Sequence, residues 1–168
     1  MAISMYQASV PVLIRNLKNL DRILEKAAVF AESRKFDSTA FPNYRLYPDM
    51  LPLSKQIQIA SDSAKGCGAR LAGVEVPKFE DNETTLPELQ ARIHKTISFL
   101  ESLSPEAFEG SESRAISLPL RTGSMEMDGM SFLLSFVLPN FYFHVTTAYN
   151  ILRHSGVELG KMDYLGGR

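Results

Sequence analysis

The chain has one cysteine, so no intramolecular disulfide can form. That residue, Cys67, lies among small residues in "SAKGCGARLA" with no acidifying group nearby, which reads as a packing side chain in a reduced compartment rather than a catalytic thiol. Charge of one sign is also scarce. A net charge of −1 excludes the broad basic field that draws proteins to phosphate backbones, so nucleic acid is not an expected partner. No apolar run approaches the length of a bilayer span, and no stretch orders a charged region, an apolar core and a small-residue cleavage site. A cytoplasmic protein without a membrane partner is the expectation. What is present suits one globular domain over residues 1–168, with 45% hydrophobic and 22% charged residues.

Periodicity predicts four amphipathic helices, at about 3–32, 50–72, 85–104 and 129–155. In the first, Tyr6, Val10, Leu13, Leu17, Leu20, Leu24, Ala27 and Ala31 step by three and four onto one stripe. Pro11 within it predicts either a kink or a true start near Ser9. Residues 33–50, rich in aromatics and proline, read as a structured loop covering one end of the domain. Leu53, Ile57, Ala60, Ala64, Cys67 and Leu71 stripe the second helix, which Gly73 ends, and its small residues permit close approach of a neighbour. "GVEVPKFEDNE" reads as a linker. Thr85 and Glu88 then form a capping box, with Pro87 in the first turn. Alternating residues about "RTG", over 114–128, predict a short β-hairpin packed on the helices before the last one, which Gly156 stops. Tyr164 and Leu165 are placed to pin the glycine-rich tail. The fold class is all-α, a four-helix bundle with a hairpin in the last crossover.

On the last helix, Leu133, Phe136, Asn140, His144, Thr147, Ile151 and His154 share a face. Polar groups inside such a stripe must find partners or cost about 1–3 kcal/mol each. Asn140 and His144 lie one turn apart, and Pro139 beside them predicts a kink that opens a pocket. His154 lies about 15 Å further along the axis and suits the helix C-terminus. His94 reads as a surface residue. For His144, a satisfied core histidine and a site residue both stand open.

The stretches "LPNFYFHVTTAYNILRHSGVELGKMDYLGG", "PDMLPLSKQIQIASDSAKG" and "MYQASVPVLIRNL" resemble a domain-of-unknown-function family within the DinB/YfiT-like metalloenzyme superfamily. The resemblance implies up-down-down-up connectivity and a homodimer. It also implies a nickel or zinc site, built from one histidine on the second helix and an H-x-x-x-H pair on the last. Some superfamily members transfer low-molecular-weight thiols at that metal. Laid onto this chain, the three ligand positions fall on Gln58, Asn140 and His144. Two of them are carboxamides, which ligate zinc or nickel poorly, so the metal is expected to be lost. The expected remainder is a small-ligand pocket anchored by Gln58, Asn140, His144 and Thr147 and lined by Tyr6, Phe136, Tyr142 and Phe143. His144 is its candidate general base, although no nucleophile is evident. A metal-dependent enzyme using His144 with Asp62 is the alternative, and a dimeric bundle without pocket chemistry is a third.

Overall fold

The computed structural model describes residues 3–120 and 123–167. It is mostly helical, with one two-stranded antiparallel sheet. Helix α1 spans Met5–Arg34 and opens on a capping box in which the Ser4 hydroxyl and the Gln7 side chain each satisfy the other's backbone N–H. The start agrees with the expected helix over about 3–32, the alternative start near Ser9 is excluded, and Pro11 lies inside a continuous helix. Pro11 and Gln7 are both exposed, so the helical hydrogen bond that Pro11 cannot make is lost on the solvent side of the helix.

Helix α2, Leu53–Ala72, ends on Gly73 in the left-handed conformation at φ 73°. Helix α3, Leu86–Glu101, carries the predicted Thr85–Glu88 box. It stops three residues short of the predicted end, where the Ser102 hydroxyl turns back onto the Phe99 carbonyl at 2.6 Å. Strands β1 (Ala115–Leu120) and β2 (Gly123–Asp128) form the predicted hairpin, with Ile116 opposite Met127 and Leu118 opposite Met125. Ile116 and Leu118 are buried, and both methionines pack against the core from partly buried positions. Arg121 and Thr122 of the expected "RTG" turn lie outside the described residues.

The last long helix differs from expectation. It comprises a short α4 (Gly129–Ser131), a π-helical segment Phe132–Val137 and α5 (Leu138–His154). The Leu138 N–H reaches the Leu133 carbonyl, five residues back, so the widened turn sits immediately before Pro139. The inserted residue rotates the two halves of the predicted stripe. Leu133, Val137, Phe141, Val145, Ala148 and Leu152 are at most 1% exposed and form the inner line, while Phe136 is only half-buried. Asn140, His144 and Thr147 are left along its flank.

Contacts between side chains give the helix directions. Asp21 meets Gln90 and His94 while Lys18 meets Glu101, so α1 and α3 run antiparallel. Ser61 meets Thr96, and Gly68 lies against Leu100 and Leu103, so α2 and α3 run the same way. Gln56 meets His144 and Ser63 meets Asn140, so α2 and α5 run antiparallel. The short α6, Lys161–Leu165, returns to α1. Asn19 donates to the Tyr164 carbonyl at 2.9 Å and Arg15 to the Leu165 carbonyl at 2.8 Å, which pins the tail where the sequence placed it. In the loop after α1, Phe36, the fully buried Phe41 and Tyr44 continue an edge-to-face series from Phe30.

Candidate functional site

The seam between α2 and α5 is polar at two levels. At one, His144 Nδ1 lies 2.7 Å from Gln56 Oε1, and Gln56 Nε2 donates to the Leu51 carbonyl at 2.9 Å. His144 is 8% exposed and Gln56 is 1% exposed. Burial lowers the imidazole pKa below its ordinary value. At the second level, Asn140 Nδ2 donates to Ser63 Oγ at 2.7 Å. Gln56 and Ser63 are seven residues apart on α2, about 10 Å along the axis. Asn140 and His144 therefore occupy one face without converging on one point.

Gln58 is not part of this seam. It is 2% exposed and donates to Glu83 at 2.8 Å, on the α3 side of α2. The reason is angular: residues two apart on an α-helix point about 200° apart, so Gln56 and Gln58 flank the apolar stripe on opposite sides. Asp62 is likewise turned away from His144 and accepts from Lys65 at 2.5 Å and Arg92 at 2.7 Å. Arg92, with a side chain only 1% exposed, also pairs with Asp81 and Glu83 from the segment between α2 and α3. That predicted linker is thus held down by charge, with Phe79 facing Lys65, Arg92 and Lys95. A cleft of about 580 Å³ lined by Phe79, Glu80, Glu83, Arg92 and Lys95 opens beside it.

Thr147 is buried, and its hydroxyl donates to the Phe143 carbonyl at 2.7 Å within its own helix. The expected aromatic lining is dispersed rather than gathered. Tyr6 packs edge-on to Phe108 at 5.3 Å, Phe136 stacks on Phe132 at 6.2 Å, and Tyr142 lines a cleft with Val12, Asn16 and Tyr164. Phe143 stays beside the histidine, with ring centroids 5.2 Å apart, and is 57% exposed. His94 is exposed and contacts Asp21 at 2.9 Å, and His154 is exposed in the last turn of α5. Cys67 is fully buried and its thiol is pushed up to about 12 by desolvation, which keeps it protonated.

A family model described as a domain of unknown function, DUF1993, matches residues 5–165. The chain belongs to the DUF1993 family. The DUF1993 chain is also similar to a crystal structure of a DinB family member protein from Shewanella denitrificans, with a TM-score of 0.92 and 44% sequence identity. That match covers 98% of this chain and 93% of the other, and it places the DUF1993 chain in the DinB-like superfamily. No curated protein matches it.

The superfamily's metal does not fit the donors found here. Of the three positions laid onto this DUF1993 chain, only His144 offers an imidazole. Asn140 is bonded to Ser63, and Gln58 is turned to Glu83. The carboxylate of Asp62 is committed to Arg92 and Lys65. Among the described residues, no group of three or more histidine, cysteine or acidic side chains is arranged to hold a metal ion. The residue that sequence reasoning missed is Gln56. Its signal was positional, since it lies three residues after Leu53 and four before Ala60 on the stripe that faces α5.

Proposed function

We propose that this DUF1993 protein is an up-down-down-up four-helix bundle that binds a small polar or aromatic ligand at the α2–α5 seam, without a resident metal. The observation that carries the reading is the state of His144. A nearly buried imidazole is held through one nitrogen by a neutral amide and is paired with no carboxylate among the described residues. Such a ring is a hydrogen-bonding and proton-accepting group of the kind a ligand site uses. The exposed Phe143 ring beside it supplies apolar surface. The helix directions set by the Asp21–His94, Ser61–Thr96 and Gln56–His144 contacts support the bundle connectivity. A homodimer in the cytoplasm completes the proposal. No helix among the described residues is long and apolar enough to cross a membrane.

The test is a thermal-shift screen of small polar and aromatic compounds against untagged protein and its His144→Phe variant. A compound that stabilises the wild type and leaves the variant unmoved is the expected result, and equal responses for every hit would overturn the reading. Elemental analysis of protein purified without chelator should find nickel and zinc well below one per chain. Stoichiometric metal that disappears in His144→Ala would make the site a metal centre instead. Light scattering on the same samples reads the dimer.

A further inference from the structure

The contacts of Gln56 determine where the hydrogen on His144 resides. The side chain folds back over the first turn of α2 and places Nε2 2.9 Å from the Leu51 carbonyl. A carbonyl oxygen only accepts, so the amide NH2 group must face Leu51, and Oε1 must face the histidine. Oε1 also only accepts, and it lies 2.7 Å from His144 Nδ1, so Nδ1 must carry a hydrogen. In a neutral imidazole the second nitrogen, Nε2, then holds the lone pair. Among the described residues nothing donates to that atom. Burial lowers the ring's pKa and so favours its neutral form, and among the described residues no carboxylate pairs with it. Gln56 is 1% and His144 8% exposed, so water competes little for this hydrogen bond.

We propose that Gln56 is a positioning residue, which holds His144 as the Nδ1–H tautomer and leaves Nε2 as the acceptor for an O–H, N–H or S–H group of a ligand. This rests on reading the α2–α5 seam as a ligand site, and it narrows the ligand to one that donates to an imidazole. An Nε2–H tautomer would turn a lone pair toward the Gln56 carbonyl oxygen and lose that hydrogen bond.

Long-range proton–nitrogen correlation spectra of protein labelled at histidine nitrogen read the tautomer directly, with no ligand needed. At pH 8 the wild type should show His144 with a protonated Nδ1 and an unprotonated Nε2. Gln56→Leu should collapse this to two averaged nitrogens, while Gln56→Glu, which pairs a carboxylate with the ring, should keep Nδ1 protonated and raise the pH at which Nε2 gives up its proton. A wild-type ring protonated on Nε2, or averaged between both nitrogens, would overturn the assignment, as would an unchanged pattern in folded Gln56→Leu. Circular dichroism establishes that each variant is folded, and the wild-type spectrum decides the question even if Gln56→Leu does not fold. Any compound found in the screen gives the second arm. A His144-dependent hit with no hydrogen-bond donor would defeat the acceptor role. If the tautomer is found as expected and no compound binds, the seam reading fails while the positioning by Gln56 stands.

Discussion

Ser61 and Thr96 share a 2.6 Å hydrogen bond between hydroxyls at the centre of the α2–α3 contact, where both residues are fully buried. Thr96 also donates to the Arg92 carbonyl of its own helix at 2.9 Å, so it is the acceptor for Ser61. Thr96→Val keeps the shape and leaves the Ser61 hydroxyl without that partner. It should lower stability by about 1–2 kcal/mol, read as a shift of the urea midpoint. Adding Ser61→Ala removes the stranded group and should recover part of the loss. A purely additive double variant would mean that the two hydroxyls are not coupled.

The Arg92 cluster predicts a larger effect. Its side chain is 1% exposed and holds Glu83, whose side chain is 11% exposed, together with the more open Asp62 and Asp81. Arg92→Ala removes the only cation among the described residues that reaches all three of these carboxylates. The expected loss is about 3 kcal/mol, the low end for a broken buried pair, because solvent screens two of the three partners. The segment between α2 and α3 should lose amide protection against hydrogen exchange before the helices do.

Acid should weaken the same cluster through Asp81. Burial, the largest single influence, raises its pKa, but the hydrogen bond from Lys55 and the charges of Arg92 and Lys55 together hold it below the ordinary carboxylate value. The unfolded chain, near a pKa of about 3.9, therefore takes up the proton before the folded one. The stability from Asp81 is complete above about pH 4 and is lost as pH falls through the folded value. Asp81→Asn should flatten the acid limb of a plot of urea midpoint against pH between pH 5 and 2. A limb as steep as the wild type's would assign the acid sensitivity to other groups.

What was legible in the sequence follows from what each feature depends on. The caps at Thr85 and Gly73 are local, and the spacing of Leu53, Ile57, Ala60 and Ala64 needs only helix geometry. The box at Ser4 and Gln7 carries the same local signal and decides between the two readings that Pro11 left open. The π-helical segment had no mark beyond Pro139. One inserted residue before that proline turned the Asn140–His144–Thr147 face away from the core line. The seam itself depended on telling Gln56 from Gln58. Laying the superfamily's ligand positions onto the chain selected Gln58, whereas the helix face selects Gln56. The grip of Arg92 on Asp81 and Glu83 joins separate segments, so no local pattern announces it.

The small residues of α2 make different predictions at neighbouring positions. A Cβ on Gly68 would lie 2.6 Å from Leu100 Cδ2 and 2.8 Å from Leu103 Cδ1, inside the packed contact with α3. Gly68→Ala should destabilise by about 1 kcal/mol, since overpacking of about 1–3 kcal/mol exceeds the helix-propensity gain. A Cβ on Gly66 would meet only the end of the Arg70 side chain, which can swing aside at the cost of its 3.2 Å hydrogen bond to the Gly66 carbonyl. Gly66→Ala should therefore be neutral or stabilising by up to about 1 kcal/mol. Equal thermal midpoints for the two variants would mean that α3 does not press on Gly68.

His144 should give a pH signature of its own. Burial lowers its folded pKa below the unfolded value of about 6.5, so on acidification the unfolded chain binds the proton first. The stability tied to the neutral ring is therefore complete above about pH 6.5 and is lost as pH falls through the folded value. His144→Gln cannot titrate in this range and retains a polar side chain on the seam. The wild type's thermal midpoint should fall more than the variant's between pH 7.5 and pH 5. His94 and His154 are exposed and present in both proteins, so the difference isolates His144. A proton spectrum in which the His144 ring titrates above pH 6.5 would show instead that a charged partner, and not burial, governs the ring.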